Sequence, residues 1–153
     1  MADKLTLYHG SAKIIEHPIL GIGNLNNDYG LGFYCTESIE FAKEWACSSE
    51  VDGYANQYIL DMEGLSVLSL TGGDYHILNW LYVLLENRKF RVAGNIAFEA
   101  KKYLMDHFEV EYKDFDVIRV YRADDSYFAF ATAFLNNTIS LSLLISLIAL
   151  LYF

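Results

Sequence analysis

Charge stops at Asp125. Every Lys, Arg, Asp and Glu of the 153-residue chain lies at or before that residue, and 126–153 carries none. A surface needs charge to stay wet, so the last part of the chain has to be covered by something. Within it, the segment from Thr138 to Phe153 is the one a hydropathy window selects. It is shorter than the roughly 20 residues a membrane-spanning helix needs, and no Lys or Arg follows it. The first reading is a terminal helix buried by this chain or by a partner. The second is a tail in contact with a membrane, and the third is a sequence accident at the C-terminus.

Upstream of that point the composition is that of an ordinary folded domain. Hydrophobic residues make up 54% and aromatics 16%, with a single Pro, which excludes disordered and Pro-rich classes. The formal net charge is −9 and the pI about 4.7. Such a chain carries no nucleic-acid signature, because phosphate contacts need clustered Lys and Arg. Two cysteines, Cys35 and Cys47, make no disulfide framework, and no secretory pattern opens the chain. A cytoplasmic location is the expectation.

Lys4–His9 alternates and reads as a strand ending at His9-Gly10-Ser11. Residues 18–32 hold the only Pro and four glycines, a loop. A short strand is expected at Phe33–Thr36, then a helix capped by Thr36 or Ser38 that runs to about Ser48. Its apolar stripe is Ile39, Ala42, Trp45 and Ala46. Strands follow at Tyr54–Asp61 and Ser66–Leu70, and a helix at Tyr75–Glu86. A second helix spans Asn95–Phe108, capped by Asn95. Phe115–Tyr121 reads as β, and Asp124-Asp125-Ser126 opens a helix to Leu135. The fold class is α+β: one domain over 1–137, with 138–153 as an apolar C-terminal segment.

His9, His17, His76 and His107 are too far apart for a local metal signature, and no metal site is expected. No phosphate-loop, dinucleotide or serine-hydrolase motif occurs. Two segments stand out instead. Tyr8-His9-Gly10-Ser11 puts an imidazole and a bare backbone at a strand end, and Gly30-Leu31-Gly32-Phe33-Tyr34 precedes a helix bearing Trp45. Taken singly, His9 is a structural strand-end histidine and Trp45 a core residue. Taken together, Tyr34 and Trp45 are two aromatic walls able to sandwich a flat ring.

These two motifs resemble those of ADP-ribosyltransferases, in both the poly-ADP-ribose polymerase and the diphtheria-toxin-like branches. A closer resemblance is to a bacterial domain family of unknown function grouped with those transferases. It rests on Ala42-x-x-Trp45-Ala46, Leu78-x-Trp80-Leu81, Asn87-Arg88 and Arg122-Ala-Asp-Asp-Ser-Tyr-Phe128, and runs from about Leu5 to Leu141. The resemblance implies a split antiparallel sheet with flanking helices and NAD as substrate. It implies that His9 binds a ribose hydroxyl, that Gly10 meets the nicotinamide amide through its backbone, and that Tyr34 and Trp45 clamp the ring. It implies transfer of ADP-ribose to a macromolecular acceptor, and a place in a toxin–antitoxin or defence pair with an antitoxin or other protein partner.

The chain departs from the resembling enzymes at its end. Where they carry a strand with Gln or Glu, which steadies the ribose, residues 142–153 hold no acid and no amide. Asp124 or Asp125 is a substitute carboxylate, or else the pair is an N-cap with a favourable helix-dipole charge. Arg122 pairs with an NAD phosphate, or else with a neighbouring aspartate. The alternatives to an active transferase are a catalytically dead binding module of the same fold, and a protein docked to a partner or membrane through Thr138 to Phe153.

Overall fold

The computed structural model describes residues 3–21, 27–48, 50–121 and 125–151. The chain is α+β, with the described residues gathered in two compact units. The first takes the described residues up to 21 and then 31–65; the second takes 27–30 and everything from 66 onward.

The first unit is built on two antiparallel strands, β1 (Lys4–Ser11) and β2 (Tyr54–Asp61), paired from Lys4–Asp61 to Ser11–Tyr54. On the other edge of β1 the expected strand at Phe33–Thr36 is reduced to a single bridge. Tyr8 and Thr36 exchange backbone hydrogen bonds of 2.8 and 2.9 Å. Helix α1 (Ile39–Ala46) starts where Ser38 caps it, its Oγ accepting from Phe41 N at 3.4 Å. Ala42 and Ala46 are buried, whereas Ile39 of the expected stripe is exposed. Small residues let the helix settle on bare backbone: a Cβ on Gly10 would lie 2.1 Å from the Ala42 carbonyl oxygen, and one on Gly53 2.2 Å from that of Ala46. Neither neighbour is a side chain that can turn aside.

The second unit is organised around α2 (Ile77–Asn87), in which Leu78 and every residue from Trp80 to Leu85 are buried. Burial of this whole run makes α2 the central helix of its unit. His76 and Asn79 cap it reciprocally, His76 Nδ1 accepting from Leu78 N and Asn79 Oδ1 from His76 N. Strands β3 (Val67–Ser69) and β4 (Val117–Arg119) pair in parallel, fastened at one end by Ser66 and Asp116. The antiparallel arrangement expected throughout therefore holds for β1 and β2 and not for β3 and β4.

Helix α3 (Gly94–His107) is not capped by Asn95. Ala93 occupies the cap without a side-chain bond, and its N–H is satisfied by Asn136 Oδ1 at 3.0 Å. Helices α4 (Asp125–Leu135) and α5 (Leu141–Leu151) complete the core through Tyr127, Ala131, Leu135, Leu144 and Ile148. The uncharged end of the chain is thus covered on one side by its own unit. At 11 residues, α5 is about 16 Å long. No helix among the described residues is long and apolar enough to cross a membrane.

Candidate functional site

His9 lies two residues from the end of β1, half-buried, directly across from Asn56. Its Nδ1 meets the backbone carbonyl of Tyr34 at 2.6 Å. A carbonyl only accepts, so Nδ1 carries the proton and, in the neutral ring, Nε2 is left with its lone pair. This one bond joins the two sequence motifs, 25 residues apart. The ring is also backed by Phe33, centroids 4.5 Å apart, and Phe33 in turn meets Tyr58 edge-on at 5.5 Å.

Two polar side chains of β2 hold the turn that leaves β1. Asn56, buried to 9% exposure, accepts from Ile15 N and donates to the carbonyls of His9 and Lys13. Tyr58 donates its hydroxyl to Ile15 O at 2.6 Å. Sequence reasoning missed Phe33, Asn56 and Tyr58. The one signal was an amide in mid-strand, an unfavourable place unless its hydrogen bonds are spoken for.

Gly10 points the other way. Successive residues of a strand face opposite sides, and Gly10 turns its bare α-carbon toward α1, where the Cβ of Trp45 stands beside it. The Cβ of Trp45 therefore stands on the face of β1 opposite to the His9 side chain. The Tyr34 ring folds back over Gly32, its Cε2 3.7 Å from where a Gly32 Cβ would be. Next to Tyr34 in the chain, burial pushes the Cys35 thiol up to about 11, which makes it a neutral packing group rather than a nucleophile.

Arg122 lies outside the described residues. Asp125 opens α4 in the second unit, and its side chain is likewise outside them. The remaining signature residues have structural work. Arg88 pairs with Asp28 at 2.5 Å and lays its guanidinium 3.9 Å over the Phe128 ring, which stacks on Phe90. Trp80 Nε1 donates to the Tyr29 hydroxyl, which donates to Tyr121 O, both at 2.6 Å. Asn87 Oδ1 lies 2.7 Å from where a Cβ on Gly30 would stand, and φ there is +85°. Together these groups hold the segment 27–30.

The family model described as "Protein of unknown function (DUF3990)" matches residues 5–151. The chain belongs to this family. The match takes in β1, both motifs of the candidate site, and α5. No curated protein and no solved structure matches the chain.

Proposed function

We propose that this member of the DUF3990 family is an ADP-ribosyltransferase-like domain that binds NAD at the exit of β1. The observation that carries the reading is the hydrogen bond from His9 Nδ1 to Tyr34 O, which brings the His-Gly and Gly-x-Gly-x-Tyr motifs together. It leaves Nε2 as an acceptor suited to a ribose hydroxyl. Gly10 keeps the role the resemblance gives it, a backbone contact to the nicotinamide amide, because its α-carbon face is filled by α1.

If the domain is active, the bond from ribose C1′ to the nicotinamide nitrogen breaks and nicotinamide leaves. A nucleophilic atom of the acceptor bonds to C1′ and gives up its proton. The transition state is oxocarbenium-like, as in glycoside hydrolysis, and gains from a nearby carboxylate. A second reading is a module that binds NAD without turning it over. It is favoured by the sequence of α5, which has no acid or amide where the resemblance implies one.

Calorimetry with NAD on the full chain tests the binding, and nicotinamide release with cell lysate as acceptor separates the two readings. His9→Ala and Trp45→Ala should each weaken NAD at least tenfold. Binding that is absent in the wild type, or indifferent to both changes, sinks the assignment.

A further inference from the structure

We propose that Phe33 and the Tyr34 carbonyl are the positioning pair of His9, fixing its ring as the Nδ1–H tautomer so that the site recognises a hydrogen-bond donor on its ligand. The inference deepens the NAD reading and rests on it for the ligand, but its physical core does not. Nδ1 is 2.6 Å from a group that can only accept. The ring cannot swing away without losing Phe33, whose centroid is 4.5 Å off. Phe33 is itself braced by the edge of Tyr58, and Tyr58 is tied by its hydroxyl to Ile15 O at 2.6 Å. The bracing runs from a backbone carbonyl through two aromatic rings to the imidazole.

A neutral imidazole held this way has one free polar atom, Nε2, and that atom accepts. A hydroxyl or N–H satisfies it. A phosphate oxygen, itself an acceptor, does not. The neutral ring of His9 thus matches the sugar of a nucleotide rather than its phosphates. Phe33 is a positioning residue: it acts through His9 and need not touch the ligand.

The test is ¹⁵N NMR of the imidazole nitrogens at alkaline pH, with the His9 signals assigned by their loss in His9→Gln. The wild type should show Nδ1 protonated and Nε2 bare. Phe33→Leu should give a mixture of tautomers and weaken NAD by roughly three- to tenfold, the scale of a lost ring pair. Phe33→Tyr, which keeps the ring, should restore both. A wild-type His9 protonated at Nε2 overturns the inference even if every variant fails to fold. So does a Phe33→Leu protein whose tautomer ratio equals that of the wild type. If the tautomer pattern holds while NAD binds to none of these proteins, the positioning stands and the NAD reading falls.

Discussion

Gly10 has two claims on it: a backbone offered to a ligand, and a floor on which α1 rests. The second is the one with numbers. A Cβ there would meet the Ala42 carbonyl oxygen at 2.1 Å and Ala46 N at 2.7 Å, both backbone atoms of a helix. Gly10→Ala should therefore destabilise the first unit by roughly 1–3 kcal/mol or more, read from the urea midpoint. Loss of NAD binding in that variant would speak to packing before chemistry, which is why His9 and Trp45 are the better probes. Cys35 gives a cleaner pH signal. Its thiol titrates at about 11 against an ordinary 9.0, because burial opposes the thiolate. Between those values the unfolded chain sheds a proton that the folded chain keeps, so stability falls as pH rises through the interval. Iodoacetamide should label exposed Cys47 in preference at neutral pH, with Cys35 catching up only as pH nears 11. Equal labelling of both at neutral pH would contradict the burial of Cys35.

At the scale of elements, the segment 27–30 depends on α2 and α4. Arg88 meets Asp28 and Phe128 with one planar group, a combination that Lys cannot reproduce. Arg88→Ala should cost roughly 1–3 kcal/mol by urea unfolding, with Arg88→Lys recovering less than half of it. Full recovery by Lys would mean that charge alone matters there. These same residues mark what the sequence could and could not disclose. The helices and β2 were legible because their apolar spacing and punctuation are local, and β2 spans Tyr54–Asp61 as read. The strand expected at Phe33–Thr36 was not, since its β-prone residues pair only at Thr36. Asn95 looked like a cap, yet Asn136, over 40 residues away, satisfies the backbone at Ala93. At the candidate site, residue type alone singled out His9, Gly10, Tyr34 and Trp45. Their facing was not legible: it depends on the register of β1 with β2 and on the seat of α1, which are tertiary facts.

For the whole molecule, the uncharged end of the chain is part of the second unit's core. Leu144 and Ile148 of α5 are buried with Trp80 and Leu135, while Leu143 and Ile145 remain exposed. Leu144→Ala should remove roughly 2–5 kcal/mol from the second unit. The two tryptophans, Trp45 in the first unit and Trp80 in the second, let the loss be assigned. In a Trp45→Phe background, Trp80 fluorescence should follow the weakened transition, and an unchanged midpoint would show that α5 adds little to the core.

The path of the backbone has one more consequence. Residues 27–30 leave the first unit, are fastened in the second by Arg88, Asn87 and Trp80, and hand the chain back at 31. No single cut yields both halves whole: a fragment ending at 65 strands Tyr29 without its indole donor, and one beginning at 66 leaves that indole donor without Tyr29. Either fragment made alone should therefore unfold at lower urea than the same unit does in the full chain.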